Sequence, residues 1–236
     1  MMRDYNICGL AVRCDFRHET MTSRAAKYLM ESVGEPDISI EYSETRMTAL
    51  SAAAPNLSPA ECEVICTAQA FYTLLLKHGG LMLHSSAVAM DGNAYLFSAP
   101  SGTGKSTHTE QWLKLFGERA SIINDDKPAI MVREDGIFAY GTPWSGKSDL
   151  NLNIGVPLKG ICVLERSPEN HIERLDDDTA VFSILNQTVR PAASPKAMEL
   201  LLELLDAIIG QVPVWKMGCN ISTEAAKVAF EAMSKG

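Results

Sequence analysis

Residues 95–107 read YLFSAPSGTGKST, and no other stretch constrains the fold as much. An apolar run stops at a loop holding two glycines. Apolar residues then resume as Trp112, Leu113 and Phe116 at helical spacing, with Gly117 where a C-terminal cap belongs. The order is strand, glycine-bearing loop, helix. Gly102 and Gly104 let the backbone turn so that successive N–H groups point inward, and a helix N-terminus adds partial positive charge to the same space. Such a loop suits the phosphates of a nucleotide. Its expected contacts are Ser101, Gly102, Thr103, Gly104, Lys105, Ser106 and Thr107, with Lys105 supplying a mobile charge and a first-turn hydroxyl supplying a ligand for Mg²⁺. The plainer reading is a polar turn with a solvated lysine, and the strand before it and helix after it weigh against that.

The pattern GxxxxGK[ST] asks for glycine at its first position, where this chain has Ala99. A complete match lies further on, at residues 141–148 (GTPWSGKS). The residues C-terminal to each loop separate the two. After Ser148 come Asp149, Asn151, Asn153, Gly155 and Pro157, a run that cannot form the required helix. The first loop is therefore the expected phosphate site, despite its worse match.

The chain has 236 residues, 46% of them hydrophobic, which is enough for one substantial core. We divide it into an α+β N-terminal subdomain, 1–80, with its seam near residues 52–59, and a nucleotide-binding core, 81–236. A formal net charge of −8, with no basic cluster interleaved with aromatics, argues against nucleic acid as a partner. No apolar run approaches the roughly 20 residues of a membrane helix, and charges at Arg3, Asp4, Arg13 and Asp15 interrupt any signal-peptide core. A soluble, cytoplasmic protein is expected. The six cysteines form no metal-binding spacing and suit a reducing compartment. Cys62 and Cys66 lie one helical turn apart, but two lone thiols are more simply small buried hydrophobes.

Periodicity predicts strands at 5–12 and 38–42, a helix at 22–31, and a helix from the Ser58-Pro59-Ala60-Glu61 capping box to Leu76, stopped by Gly79-Gly80. Residues 81–89 and 94–98 then form a hairpin that feeds the loop. Strands come next at 121–124, 129–132, 137–140, 160–165 and 212–217, and helices at 179–188, 195–209 and 222–233. Hairpins mixed with helices fit an α/β fold with a mixed sheet.

Asp125 and Asp126 close a strand some twenty residues past the loop, where the acidic residue that serves a nucleotide's metal is usually found. Adjacent side chains of a strand point to opposite faces, so one carboxylate can reach the metal and the other an acceptor. Ser106 and Asp126 are the candidate metal ligands, and the sequence leaves open which aspartate holds the metal and which acts as base. An Asp-Asp pair that merely opens a turn before Lys127-Pro128 is the structural alternative.

Together, His84, the hairpin into SAPSGTGKST and Asp125-Asp126 resemble the catalytic core of the HPr serine kinase family over roughly residues 81–165. The similarity extends more distantly to phosphoenolpyruvate carboxykinase. The resemblance implies a P-loop core of that type, ATP and Mg²⁺ as cofactors, an active-site role for His84, and a metal ligand and catalytic base among the aspartates. Without it, His84 would be read as a core histidine. The chain lacks the glutamate-isoleucine-arginine-glycine signature of true HPr kinases, and 1–80 do not resemble their regulatory domain. Small kinases of this kind resemble enzymes that tailor peptide natural products, so the implied acceptor is the serine hydroxyl of a peptide, protein or small molecule.

Residues 141–148 then become a substrate-side loop, with Lys147 as a point charge for the transferred group and Trp144 as a flat apolar wall. A strand-to-strand turn containing Pro143 and Gly146 is the alternative. The catalytic candidates are thus His84, Lys105, Asp125, Asp126 and Lys147. His108, in the first turn after the loop, is expected to be exposed. Rival readings are a nucleotide-responsive peptide-binding protein and a carboxykinase-like enzyme, and the sequence leaves room for a homo-oligomer.

Overall fold

A computed structural model of the chain describes residues 2–191 and 194–235. The first strand expected from the sequence is a hairpin. Cys8 and Gly9, at φ 59° and 75°, form a left-handed turn between β1 (Arg3–Ile7) and β2 (Leu10–Cys14). The following helix, α1 (Glu19–Ala25), lies earlier than its pattern suggested and tightens into a 3₁₀ turn through Tyr28. β3 (Ile38–Ile40) pairs parallel to β2. α2 (Glu44–Ala53), which the sequence did not announce, precedes α3 (Pro59–Leu75). α3 starts as its capping box requires: Ser58 Oγ accepts from Glu61 N–H at 3.3 Å, and Glu61 Oε2 accepts from Ser58 N–H at 2.8 Å.

The strand expected over 81–89 is two strands in different parts of the sheet. β4 (Gly80–Met82) pairs with β8 (Ala129–Arg133), and β5 (Ser85–Met90) lies between β6 (Asn93–Ser98) and β7 (Ala120–Asp126), so the chain changes neighbours at Leu83 and His84. Next come β6 (Asn93–Ser98), α4 (Lys105–Phe116), β7 (Ala120–Asp126), β8 (Ala129–Arg133) and β9 (Gly136–Tyr140). β10 (Gly155–Arg166), β11 (His171–Arg174), α5 (Asp177–Leu185), α6 (Pro195–Ile209), β12 (Val214–Cys219) and α7 (Thr223–Met233) complete the chain.

β10 organises the large sheet. Its first residues pair antiparallel with β9, its middle runs parallel to β6, and its end runs parallel to β12. The result is a mixed α/β fold, and within the large sheet the parallel pairings are those of β10 with β6 and with β12. Alternation along β6 assigns the two faces: Ala94 and Leu96 pack on the side of α5 and α6, while Tyr95 and Phe97 pack on the side of α4 and α7. A third cluster joins β1, β2, β3 and α3 to Met82, Ala129 and Met131 of the antiparallel strands. Among the described residues, no helix is long and apolar enough to cross a membrane.

Candidate functional site

Strand register aligns the candidate residues. Ser85 pairs with Ser98 on one side and Asp126 on the other, and Ser86 likewise pairs with Phe97 and Asp125. The C-terminal ends of β6 and β7 therefore meet at one edge, with the start of β5 between them. His84 immediately precedes this row, and its carbonyl accepts from Ser98 Oγ at 2.9 Å. In open α/β sheets, ligands bind at such strand ends.

The loop after β6 turns through Gly102 (φ 78°) and Gly104 (φ 122°) into α4, which no side chain caps. Ala99 is fully buried in the apolar cluster beneath, and its φ is not positive, so the glycine that the sequence pattern asks for has no conformational purpose here. Lys105 Nζ donates to Ala99 O at 2.9 Å, bridging the loop from within. Burial presses its ammonium below the usual lysine range, and Asp126 and Asp125 partly offset this. Outside the loop, Arg166 donates to the Gly102 and Thr103 carbonyls.

The aspartates face different partners. Asp125, 7% exposed, accepts from Ser106 Oγ on Oδ1 and from Ser148 Oγ on Oδ2, each at 2.8 Å. Asp126 pairs with His84 Nε2 at 3.2 Å and with Lys127 Nζ. Burial pushes the Asp126 carboxyl up, but the His84 hydrogen bond and the Lys127 charge outweigh it and hold the pKa down to about 2. Its backbone sits at φ 138°, a conformation rare outside glycine. The carboxylate beside Ser106 is thus that of Asp125, whereas the sequence reading paired Ser106 with Asp126. Gln187 Oε1 lies 3.2 Å from His84 Nδ1.

A cleft of about 440 Å³ is lined by His84, Ser101, Gly102, Gly104, Lys105, Ser106, Thr107, Asp125, Asp126 and Lys147. Thr103 lies off it, on a neighbouring cavity of about 620 Å³ shared with Arg166. Ser148, Lys127 and Gln187 reach the candidate residues without having been singled out. Ser148 ends the second glycine pattern and Lys127 adjoins the aspartates, so both carried some signal; Gln187 carried none. Among the described residues, no cluster of three or more His, Cys, Asp or Glu side chains could hold a metal.

The second glycine loop needs its glycines for close packing. A Cβ on Gly141 would stand 1.8 Å from Leu152 O, and one on Gly146 would stand 2.9 Å from Asp125 O. Neither glycine has positive φ, and no helix comes after the loop. Trp144 corrects the sequence reading. It is fully buried, stacks on Phe71 at 4.6 Å and donates from Nε1 to Thr67 Oγ1 at 3.0 Å, so it is a core residue rather than a wall for substrate. Removing such an indole costs about 3–5 kcal/mol. His108 is also buried rather than exposed: its Nε2 accepts from Trp112 Nε1 at 3.2 Å, and burial pushes its pKa down to about 4.

A family model described as "ScmC: SynChlorMet cassette protein ScmC" matches residues 56–222, from just before α3 to the N-cap of α7. No curated protein matches the chain. Among solved structures, the chain is similar to the Hpr(Ser) kinase/phosphatase from Coxiella burnetii, with 10% sequence identity and a TM-score of 0.38, over 65% of this chain and 97% of that one.

Proposed function

The chain belongs to the SynChlorMet cassette protein ScmC family, and we propose that it is a magnesium-dependent phosphotransferase. It moves the γ-phosphoryl of ATP to an alcohol, the serine hydroxyl of a peptide, protein or small molecule. Residues 81–236 are its nucleotide-binding core, a P-loop core by this reading, and 1–80 its N-terminal subdomain. The cytoplasm supplies ATP and keeps its free cysteines reduced.

One contact carries the reading: the hydrogen bond between Ser106 of the glycine loop and the Asp125 carboxylate. It joins a first-turn hydroxyl to an acid at the end of a neighbouring strand, a donor set of hard oxygens. Few protein ligands suit Mg²⁺, which keeps waters and takes phosphate oxygens to fill its shell. Ser106 and Asp125 would hold the ion, which would supply positive charge against the negative charge that develops on the phosphate during transfer.

The remaining roles rest on the chain's own groups. Loop amides and Lys105 hold the phosphates, the ammonium leaving the Ala99 carbonyl for the more negative oxygens. Asp126, with its pKa near 2, is ionised at neutral pH and a weak base. It therefore orients the acceptor hydroxyl and takes its proton late, when the bond to phosphorus has largely formed. His84 and Lys127 hold that carboxylate in place. Lys147, at the cleft wall, offers a charge to the group in flight.

Calorimetric titration with MgATP, and separately with magnesium tripolyphosphate, tests the cradle. Saturable heat is expected from both. Incubation with γ-labelled ATP and candidate serine peptides, read by mass spectrometry, then tests transfer. No binding of either polyphosphate would end the reading, and binding without any phosphorylated product would reduce the protein to a nucleotide-responsive binder.

A further inference from the structure

We infer that Arg24, in the N-terminal helix α1, is a positioning residue for the cleft: its guanidinium fixes the 145–149 segment and with it the Lys147 side chain. The inference rests on the phosphotransfer reading for its catalytic consequence, though not for its geometry.

Residues 141–154 connect β9 to β10 with no regular structure except an isolated bridge between Asn151 and Asn124. Within the segment, Ser145 Oγ donates to Asp149 Oδ1 at 2.9 Å and Asp149 N–H to Gly146 O at 3.2 Å, which closes a turn around Lys147 that has still to be set against the rest of the molecule. Arg24, whose side chain is only 15% exposed, holds the segment at Ser145, Gly146 and Asp149. Its two terminal nitrogens donate to the carbonyls of Ser145 and Gly146, at 3.0 and 3.1 Å, and its Nε lies 3.3 Å from Asp149 Oδ1. A planar fork that engages two carbonyls and a carboxylate sets the segment's orientation as well as its distance. Gly146 N–H in turn donates to Asp125 O at 2.7 Å. Gly146, which the guanidinium holds, is thus the neighbour of Lys147 in the chain and is hydrogen-bonded to the Asp125 backbone.

The anchor is itself fixed. Glu63 of α3 is completely buried, and its two oxygens accept from the Arg17 and His18 N–H groups, at 2.7 and 3.0 Å, where the chain enters α1. Past Arg24, Lys27 Nζ donates to Asn151 O at 2.9 Å and Tyr28 OH to Asn151 Oδ1 at 2.9 Å. Elements within 1–80 therefore brace from behind a cleft whose lining residues lie between positions 84 and 150.

The test compares wild-type protein with Arg24→Ala and Arg24→Lys. Acetylation of Lys147 by an activated ester, followed by peptide mass spectrometry against exposed Lys77, reads the loop without any nucleotide. Arg24→Ala should change the Lys147:Lys77 rate ratio by about threefold or more while the melting temperature stays within a few degrees. A single ammonium can meet only part of the fork's contacts, so Arg24→Lys should fall between. With MgATP, turnover by Arg24→Ala should drop about tenfold or more with affinity within about twofold, since a misplaced group costs rate before binding. Added guanidinium ion should restore part of that rate. An unchanged labelling ratio in a folded Arg24→Ala protein overturns the inference; if that variant does not fold, an unchanged ratio in Arg24→Lys does so. Wild-type protein that binds no MgATP would instead remove the phosphotransfer reading, and the labelling comparison would still decide the role of Arg24.

Discussion

His108 gives the chain a pH dependence whose size is set by its surroundings. The ring is 4% exposed, lies 4.5 Å from the Phe97 ring between centroids, and accepts the Trp112 N–H on Nε2. A neutral imidazole suits this site and an imidazolium does not, so the folded pKa falls from 6.5 to about 4. Because the folded value is depressed, the unfolded chain takes up a proton between those pH values and the native chain does not. Stability is complete above pH 6.5 and falls as pH drops toward 4, at about 1.4 kcal/mol per pH unit. Across the whole gap the loss is about 3 kcal/mol, and between pH 6.5 and pH 5, before most carboxylates titrate, about 2 kcal/mol. Urea denaturation of wild-type and His108→Gln proteins at those two pH values measures it. Gln can still accept from Trp112 but does not titrate, so the wild-type protein should lose about 2 kcal/mol more than the variant. Parallel losses would show that the buried ring accepts a proton in the native state and would refute the argument. The consequence for the cleft is that α4, which begins in the glycine loop, carries no histidine charge of its own toward an anion.

Two substitutions probe the cleft walls. Lys105→Ala should lower MgATP turnover by about 10²–10³, with a melting temperature close to wild type, because the ammonium acts on developing charge more than on packing; steady-state turnover at the wild-type rate would contradict its role. Gly146→Ala places a methyl 2.9 Å from Asp125 O and 3.2 Å from Asp126 Cβ, and since these are atoms of the neighbouring main chain and its first carbon, relief requires moving the loop. Thermal denaturation should register a loss of about 1–3 kcal/mol, and turnover should fall more than affinity.

Local chemistry was legible in the sequence wherever it acts over a few residues. The Ser58 capping box, the α6 boundaries at Pro195 and Ile209, and the step from β6 through two glycines into α4 are all set by neighbours in the chain. The Cys8-Gly9 turn was missed because cysteine seldom adopts a left-handed conformation, so only the glycine gave a signal. α2 was missed because its polar and apolar residues show almost no helical periodicity. Nor could one strand be told from two at Leu83-His84, where only the pairing partners reveal the break. Trp144 misled for a related reason: its pattern says aromatic residue in a loop, and its burial is decided by Phe16, Phe71 and Tyr72, more than seventy residues away along the chain.

Asp125 is where the two glycine-bearing patterns meet, since Ser106 comes from the first and Ser148 from the second. That makes Asp125→Asn the sharpest separation of scaffold from ligand. An asparagine can still accept one serine hydroxyl on its oxygen and donate to the other's oxygen, because a hydroxyl both donates and accepts. The geometry that joins the loops should therefore persist, at a cost of about 1 kcal/mol for replacing two charge-assisted bonds with neutral ones. The negative charge does not persist, and magnesium has far less affinity for an amide oxygen than for a carboxylate. Calorimetry should show the variant binding ATP with much the same affinity with or without magnesium, while the wild-type protein binds MgATP more tightly than ATP. Asp125→Ala, which orphans both hydroxyls, should melt well below either. Retained magnesium dependence in the Asn variant would assign the metal elsewhere, with Asp126 the first candidate. A large loss of stability in that variant would instead mean that the carboxylate's charge, rather than its shape, holds the two loops together.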